Sequence, residues 1–487
     1  MNRSIRRLYL TLSGGFLLLV LLLGYWQVIA AGSLNEHEDN LQAAQNERLI
    51  DRGRIISADG RILAASRARR VDGQRLFQRI YPQGELAAHV VGYATLGDKT
   101  GLEDSYDRYL SGSFGAEPIL QRLNLREKEG ATLHVTLDSR VQRVAVEGLA
   151  GVKGAVVALD PRTGAVLALA SSPTFDPGRF LSDPDIFKGV AAEEAPLLDR
   201  ATNGRYAPGS TFKVVTATSA LDSDLGITAR TTFDDPGTYV TQDRPIRNFG
   251  GNVFGVHTLG EALTNSINTT FARLGDQLGP DRLGATMTAY GMGERIPIDL
   301  PDGEVAIAGR YRDGELLPNG EQNIDVARIA IGQEQLLMTP LQMAMVAAAV
   351  ANRGTLMQPH LMSRIIDRRG NVVKREDLVE LGQVASAESA AALTEMMSNV
   401  VRDGTGTAAA LSDLNVQAAG KTGTAETGDA GLNQAWFIGF APAEDPEVAV
   451  AVVIEGTPST GGTVAAPIAA DVMSAVLRPP TEEDDAP

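Results

Sequence analysis

Two short apolar runs joined by a turn constrain the fold more than any other stretch of this 487-residue chain. Residues 154–160 and 165–170 are almost entirely apolar, and Pro161 to Gly164 between them has the composition of a tight turn. Strands that lack a polar face need helices on both sides of their sheet. We therefore predict a mixed α/β fold built on a sheet that helices cover.

Three more strands are predicted near the C-terminus, at residues 417–425, 436–442 and 448–455, followed by a closing helix at 465–476. The strands at the two ends of this region must meet in one sheet, with a long helical insertion at about 173–412. The last residues, 479–487, are rich in proline and acidic side chains and are predicted to be disordered.

The N-terminus carries a membrane signal. An apolar run at residues 8–31 follows Arg3, Arg6 and Arg7 and is long enough to cross a bilayer. The basic flank predicts a cytoplasmic tail at 1–7, with the bulk of the protein outside. A cleaved signal peptide is the alternative, but the long run without a clean Ala-x-Ala site favours an uncleaved anchor.

The segment that follows the anchor, residues 32–135, is predicted to be a stalk and a small non-catalytic pedestal. Residues 33–46 are polar and fit a helical stalk, and Asp59-Gly60 between short apolar runs predicts a β-hairpin. Nothing catalytic stands out before Asn124. The pedestal would space the C-terminal region, residues 136–478, from the membrane, and packing alone is the alternative role for its arginines and tyrosines.

Composition excludes several classes of function. The net charge of −16 and the pI near 4.9 argue against nucleic-acid binding, because no long basic stripe is present to neutralise phosphates. The chain has no cysteine, which excludes disulfides, thiol nucleophiles and cysteine-bound metals. Five scattered histidines argue against a metal site, and we expect no cofactor.

A hydroxyl and an amine stand three residues apart at Ser210 and Lys213, where Pro208 and Gly209 precede a helical pattern. Residues at i and i+3 share a helix face, so Lys213 can reach the Ser210 hydroxyl. Lysine is scarce here: seven of the 44 basic residues are lysine and 37 are arginine. An amine can give up its proton and act as a base, whereas a guanidinium cannot. A helix cap beside a surface lysine is the alternative.

Two further motifs contain the same residue types. Ser266-Ile267-Asn268 lies between two amphipathic segments that predict helices joined by a short turn, although helix capping is the better explanation of this motif taken alone. Lys421-Thr422-Gly423-Thr424 opens a predicted strand, and such a run is rare in a chain with seven lysines. There the glycine would leave room for a substrate, the hydroxyls would bind a carboxylate, and Lys421 would supply positive potential.

Taken in order, Ser-x-x-Lys, Ser-x-Asn and Lys-Thr-Gly resemble the three motifs of penicillin-binding proteins and serine β-lactamases. The runs at 200–213 and 339–344, the anchor and the Arg-Gly-Arg-Ile stretch at 52–55 resemble class B penicillin-binding proteins, the monofunctional D,D-transpeptidases of peptidoglycan synthesis. The resemblance covers nearly the whole chain. It departs from the family at Glu334, where the family usually has glycine.

The resemblance implies a transpeptidase domain with an antiparallel five-stranded sheet, flanking helices and a helical subdomain. It implies a serine acyl-enzyme, with Lys213 as the base and the backbone N–H groups of Ser210 and Thr424 as an oxyanion hole. The implied catalytic residues are Ser210, Lys213, Ser266, Asn268 and Lys421, and the implied substrate-binding residues are Thr422, Gly423 and Thr424.

The implied partners are peptidoglycan stem peptides, both D-Ala-D-Ala donors and amine acceptors, β-lactam antibiotics, and a membrane-embedded glycan polymerase of the SEDS type. The implied role is cell-wall cross-linking during elongation or division. Two alternatives stay open. One is a hydrolase with the same site, a D,D-carboxypeptidase or a β-lactamase, for which Glu315 and Asn319 match a Glu-x-x-x-Asn pattern. The other is a non-catalytic penicillin-binding receptor or scaffold.

Overall fold

The structure is a computed structural model that describes residues 3–25, 48–114 and 129–478, apart from 72, 96, 189, 192–193, 243, 323 and 428–430. The predicted stalk at 33–46 and the predicted acidic tail at 479–487 lie outside the described residues. The described strands are β1 (Ile55–Ile56), β2 (Ile62–Val71), β3 (Gln74–Ile80), β4 (Thr132–Val135), β5 (Gly154–Leu159), β6 (Val166–Ser172), β7 (Thr232–Asp235), β8 (Thr238–Thr241), β9 (Arg244–Arg247), β10 (Gly255–Thr258), β11 (Gly309–Arg312), β12 (Glu315–Leu317), β13 (Leu336–Leu337), β14 (Thr355–Met357), β15 (Met362–Ile366), β16 (Val372–Arg375), β17 (Glu380–Gln383), β18 (Ala419–Glu426), β19 (Asn433–Ala441) and β20 (Val448–Thr457).

Helices connect these strands and cover their sheets. Two of them begin at motif residues: helix Lys213–Leu221 begins at the lysine of Ser-x-x-Lys, and helix Asn268–Ala289 begins at the asparagine of Ser-x-Asn. The described α-helices span Arg3–Gly24, Ala88–Val91, Gly101–Ser105, Asp107–Leu110, Ser139–Gly148, Pro177–Ser182, Lys213–Leu221, Leu259–Thr264, Asn268–Ala289, Val326–Ile329, Pro340–Ala351, Ala387–Asp403 and Gly461–Leu477.

The N-terminal helix Arg3–Gly24 exposes its side chains along its whole length. In the described part of the chain it is the one helix long and apolar enough to cross a membrane by length and composition. Within the described residues its leucines are largely exposed, as expected of an apolar helix long enough to cross a membrane. The helix starts before the predicted span 8–31, and residues 26–31 of that span lie outside the described part.

The predicted central sheet is confirmed. It has five antiparallel strands in the order β18-β19-β20-β5-β6, so strands from both ends of the region meet as expected. Along β20, Ala451 and Val453 pack in the core that contains helix Pro340–Ala351, whereas Val450 and Val452 pack in the core beneath helix Gly461–Leu477. Because both faces are buried, the strands are apolar at successive positions. The outer strand β18 leaves one edge open.

The stretch between the two halves of this sheet is less helical than predicted. Besides its helices it contains the short strands β7 to β17. Two of them, β15 and β16, join strands of the pedestal in a second sheet with the order β16-β15-β4-β1-β2-β3. The hairpin predicted at Asp59-Gly60 is present in this sheet, where β1 pairs antiparallel with β2.

The pedestal is held by a buried charge cluster and is fixed to the larger region. Arg52 and Arg79 both bind the carboxylate of Glu103, whose side chain is fully buried. At the junction, the Tyr106 hydroxyl donates to Asp299 at 2.8 Å, and the Gly101 N–H donates to the carboxylate of Glu304 at 3.1 Å. These bonds fix the pedestal against the region that carries the three motifs.

Candidate active site

Ser210 lies in a 3-10 turn, Gly209–Phe212, that continues directly as helix Lys213–Leu221. The helix start that the sequence predicts is therefore present. The turn packs tightly at Gly209, which has φ +51°, and a Cβ there would lie 2.9 Å from the Thr424 carbonyl oxygen. The Gly209 N–H donates to the Gly332 carbonyl at 3.1 Å. Glycine is needed at 209 for both reasons, the backbone conformation and the close approach of β18.

Lys213 is fully buried, and its ammonium group is held from the Ser-x-Asn motif. Nζ donates to the Ser266 carbonyl oxygen at 2.8 Å, to Ser266 Oγ at 3.2 Å and to Asn268 Oδ1 at 2.7 Å. The spacing of the sequence predicted a contact with the Ser210 hydroxyl. In the described part of the chain, Ser210 is not among the hydrogen-bond partners of Lys213. The i, i+3 relation places the two on one face, but the amine turns toward the neighbouring motif.

The Ser-x-Asn motif forms the predicted turn between two helices, Leu259–Thr264 and Asn268–Ala289. Ser266 has φ +56°, a left-handed conformation that serine adopts at a cost of order 1 kcal/mol or more. The Asn268 side chain is fixed at both ends, because its Nδ2 donates to the Arg247 carbonyl at 2.9 Å while its Oδ1 faces Lys213. The amide is thereby set to present an acceptor to the lysine.

Lys421 brings a second buried amine from β18. Its Nζ donates to the Thr422 carbonyl oxygen at 3.0 Å, and among the described residues no carboxylate pairs with it. Burial lowers the pKa of Lys421 to about 7. Burial, with a further contribution from the positive charge of Lys421, lowers the pKa of Lys213 well below its usual value. Lys421 can therefore lose its proton near neutral pH, and the lowered pKa of Lys213 makes it the second amine in the site that gives up a proton more readily than an exposed lysine.

The rest of the Lys-Thr-Gly-Thr run has specific contacts. Thr422 shares a hydrogen bond with Thr405, and Thr424 Oγ1 accepts from the Gly461 N–H at 3.3 Å. A Cβ on Gly423 would lie 2.7 Å from the Pro208 carbonyl oxygen. The glycine is thus required so that the Ser210 turn can pack against β18, and because Gly423 also lines the groove, the predicted role of leaving room for a substrate stays a prediction.

These motifs meet at a groove of about 400 Å³. Sequence reasoning missed Thr405, Thr460 and the exposed Phe249 in its lining, although the Gly-Thr-Gly-Thr run at 404–407 was an available signal for Thr405. The described lining contains neither a carboxylate nor an imidazole. The lining residues are Ser210, Asn248, Phe249, Asn252, Phe254, Asn265, Ser266, Asn268, Ile331, Gln333, Thr405, Thr422, Gly423, Thr424, Thr460 and Gly462.

Residues 154–474, about two thirds of the chain, match the penicillin binding protein transpeptidase domain. The chain belongs to the penicillin-binding protein family. Residues 52–132 match the penicillin binding protein A dimerisation domain. The chain is 34% identical to the peptidoglycan D,D-transpeptidase PbpA of Mycolicibacterium smegmatis, over 98% of this chain and 99% of that protein. The resemblance to class B penicillin-binding proteins is thereby confirmed.

Solved structures agree with this assignment. Penicillin-binding protein A of M. tuberculosis, in a ceftriaxone acyl-enzyme complex, superposes with a TM-score of 0.78 at 31% identity, covering 89% of this chain and all of that one. The D,D-transpeptidase domain of a peptidoglycan glycosyltransferase from Eggerthella lenta gives 0.77 at 35% identity, covering 88% and 98%. The predicted fold class is therefore confirmed.

The departure from the family at Glu334 has a conformational explanation. Glu334 has φ +62°, the left-handed region in which glycine is favoured, and Gln335 has the same value. In this penicillin-binding protein the Glu334 carboxylate is held by Arg244 of β9 at 3.1 Å, and Arg244 also binds Asp325 at 3.1 Å. The ion pair holds in place a backbone conformation that the side chain disfavours.

The residues that match a β-lactamase pattern lie away from the groove. Glu315 is exposed on β12, and the Asn319 amide donates to the Met292 carbonyl at 2.6 Å and to Thr288 at 3.0 Å. Neither contributes to the described lining of the groove. The Asn319 amide has a local role in holding its loop against the Met292 and Thr288 positions.

Proposed function

We propose that this chain is a peptidoglycan D,D-transpeptidase that cross-links stem peptides through an acyl-enzyme on Ser210. The observation that carries the proposal is the environment of Lys213, a buried amine with a lowered pKa held by Ser266 and Asn268 beneath a groove that contains a serine hydroxyl. A desolvated lysine next to a second cation is the arrangement that activates a serine without histidine.

In the first step, neutral Lys213 takes the proton of the Ser210 hydroxyl while Oγ attacks the carbonyl carbon of the penultimate D-alanine. Ser266 lies 3.2 Å from Nζ and would relay this proton to the leaving amine as the tetrahedral intermediate collapses. The C–N bond to the terminal D-alanine breaks, an ester to Ser210 forms, and free D-alanine leaves with the proton.

The developing oxyanion would be bound by the backbone N–H groups of Ser210 and Thr424. In comparable sites one such donor is worth about 3 to 4 kcal/mol. The terminal carboxylate of the donor would bind the hydroxyls of Thr422 and Thr424, with the positive potential of Lys421 below them. Asn268 would orient the peptide. Because β18 is the outer strand of its sheet, a peptide can lie along its open edge.

In the second step an amine of a neighbouring stem peptide attacks the ester. Its proton passes to Lys213, the Ser210 oxygen leaves and is reprotonated, and a cross-linking amide forms. Hydrolysis needs a base that activates water. Lys213 serves the acceptor amine, and the described lining of the groove adds no carboxylate or imidazole as a separate base for water, which favours a transferase over a β-lactamase with a dedicated carboxylate. A β-lactam would be attacked in the same way and would remain as a long-lived ester.

The domain division follows from this function. We assign residues 1–7 to the cytoplasm, 8–31 to the membrane, 32–135 to the pedestal and 136–478 to the transpeptidase, with a free tail at 479–487. The catalytic region would face the peptidoglycan outside the cell, as the basic residues before the apolar helix suggest. Since a lone transpeptidase makes no glycan strand, its partner would be a membrane-embedded glycan polymerase of the SEDS type.

The deciding experiment compares Ser210→Ala with Ser412→Ala, an exposed serine outside the groove. Full-length protein is incubated with a fluorescent penicillin and, separately, with a D-Ala-D-Ala donor and an amine acceptor. We expect Ser412→Ala to be labelled and to form cross-linked product, and Ser210→Ala to do neither while melting normally. If the Ser412→Ala control is labelled but forms no cross-linked product, the protein is a penicillin-binding receptor and not a transpeptidase. If the donor reacts with water in preference to the amine, the protein is a hydrolase.

The orientation is tested separately by adding a protease to intact spheroplasts. We expect digestion of everything beyond about the first thirty residues, since the tail and the membrane span are protected. Protection of the whole chain would contradict the proposed topology.

A further inference from the structure

Charge is distributed very unevenly along this acidic chain. Residues 48–81, the first described stretch after the N-terminal helix, contain nine arginines against three acidic residues, a net charge of +6. The whole chain carries −16, so the remainder carries −22. Arg52 and Arg79 of this stretch are neutralised by Glu103 and Asp107, so the positive surface is carried by the exposed arginines among the rest. An exposed cluster of arginines in a strongly negative protein suits a negatively charged partner.

The excess positive charge projects on the β2–β3 hairpin. Arg67, Arg69, Arg70 and Arg75 are all exposed, and in the described part of the chain none of them forms an ion pair with an acidic side chain. Arg70 and Arg75 lie directly opposite each other in the register of the two strands. Like charges in that position destabilise a hairpin unless something else neutralises them.

The hairpin also has an apolar end. Val71, the last residue of β2, is 43% exposed, and the neighbouring strand places Leu76 opposite Arg69. The Arg75 guanidinium stacks over the Phe77 ring at 5.0 Å, which holds that charge at the surface. Arginines around a small apolar tip are suited to the boundary between lipid headgroups and acyl chains.

Position along the chain keeps this hairpin near a membrane. The apolar helix ends at Gly24, and Arg48 lies 23 residues after Tyr25. A fully extended segment of that length spans about 80 Å at most. Tethering on this scale raises the effective concentration of the hairpin at the bilayer, so weak contacts suffice.

We propose that the β2–β3 hairpin binds the anionic phospholipid headgroups of the membrane that holds the N-terminal helix, and so sets the pedestal against the bilayer. Each arginine near an anionic surface favours the bound state by about fivefold. The inference rests on the membrane anchor and is independent of the transpeptidase reaction.

A second copy of the chain is a poorer fit, even though residues 52–132 match a family whose name refers to dimerisation. A two-fold symmetric contact through this hairpin would bring the same patch from both subunits together. Arg69 and Arg70 of one subunit would then face equal charges of the other. Any dimer contact would have to use a different face of the pedestal.

The absence of cysteine from the sequence allows a direct test. Full-length Val71→Cys is labelled with an environment-sensitive dye and reconstituted at one molecule per nanodisc, in phosphatidylcholine alone or with an equal amount of phosphatidylglycerol. We expect the dye to report an apolar, quencher-protected environment in the anionic discs. At about 1 M salt, where the Debye length is near 3 Å, that signal should be lost.

Variants of the hairpin give the quantitative arm. Arg69→Gln combined with Arg70→Gln should lower the ratio of bound to free hairpin about 25-fold, because each arginine contributes a factor of about five. The matched control is Arg143→Gln with Arg230→Gln, two exposed arginines without ion pairs in the described residues, which should leave the ratio unchanged. Labelling by fluorescent penicillin verifies that each variant is folded.

The proposal is overturned if the dye signal is the same in neutral and anionic discs, or if the hairpin pair and the control pair behave alike. A dye signal that appears only with two molecules per disc would show that the hairpin binds a second copy of the chain, and this result would also overturn the proposal. If the hairpin stays exposed in both lipids, its arginines would instead bind an acidic protein partner, which again contradicts lipid binding.

Discussion

Lys213 Nζ lies 2.7 Å from Asn268 Oδ1, and the same amide donates from its nitrogen to the Arg247 carbonyl at 2.9 Å. The second bond prevents the amide from turning, so the lysine always faces a neutral acceptor. A carboxylate at this position would hold the proton on the lysine, whereas an amide oxygen accepts a hydrogen bond without adding a charge. The choice of asparagine therefore fits the proposed use of Lys213 as a base.

The first prediction follows from this pair. Asn268→Asp places a negative charge beside Lys213 and should raise the pKa of that lysine by roughly 1 to 3 units. The second-order rate of acylation by a fluorescent penicillin should then fall at neutral pH, and its pH profile should move to higher pH. Asn268→Ala removes the acceptor without adding a charge, so it should slow acylation without that upward shift. An unshifted profile in Asn268→Asp would separate the asparagine from proton transfer.

The second prediction distinguishes the two lysines. If Lys213 is a base, Lys213→Arg should slow acylation by about 10²- to 10⁴-fold, nearly as much as alanine, because a guanidinium does not release its proton. Lys421 is proposed to supply charge, so Lys421→Arg should be milder, limited by the size and planarity of the head group. Acylation by one β-lactam and by a D-Ala-D-Ala thioester measures both. A Lys213→Arg enzyme that acylates at near the normal rate would refute the assignment.

The third prediction concerns stability. Lys421 titrates at about 7 in the folded chain and at 10.5 when unfolded, so between these values the unfolded state binds more protons and stability rises with pH. Lys421→Met removes this penalty. Its gain in unfolding free energy over the natural chain should be largest below pH 7, up to about 5 kcal/mol, and should decline toward pH 10.5. Chemical denaturation at several pH values tests this, and a gain independent of pH would contradict it.

The fourth prediction uses the strained Glu334. Glu334→Gly loses the ion pair with Arg244 but relieves a left-handed conformation that costs a non-glycine residue of order 1 kcal/mol. A half-exposed ion pair is worth about 0 to 1 kcal/mol, so Glu334→Gly should be as stable as the natural chain or more so. Glu334→Ala keeps the strain and loses the pair, so it should melt at a lower temperature than both. Equal melting temperatures for the alanine and glycine variants would show that φ carries no penalty here.

Much of the fold could be predicted from the sequence because its strands are apolar on both faces and are bounded by clear turns. The strands around residues 154–170 and 417–455 and their joining in one sheet were predicted for that reason. The six-stranded sheet was not, since β15 pairs with β4 more than 200 residues earlier, β16 joins the sheet only through β15, and both have ordinary mixed sequences. Pairing at such a distance leaves no local signal.

The candidate site, like the fold, was predicted only in part from the sequence. Motif spacing identified Ser210, Lys213 and Lys421, because scarce lysines beside small hydroxyl residues are informative. It did not predict that the lysine amine turns to Ser266 and Asn268, since that choice depends on how two helices pack. Gly423 also has a packing constraint that the sequence did not predict. Its constraint comes from the Pro208 carbonyl, which lies across the strand and more than 200 residues earlier in the chain.

The order of strands in the central sheet has a consequence for the synthesis and folding of the protein. β5 and β6 are made early, but the edge of β5 stays unpaired until β20 has been synthesised, nearly 280 residues later. Lys421 lies on β18, which joins the sheet through the same late strands. A chain truncated before these strands would therefore expose an unpaired strand edge and would lack Lys421, whose charge contributes to the lowered pKa of Lys213. We expect reactivity toward penicillin to appear only once β18 to β20 have joined the sheet, so that labelling would report a completed chain.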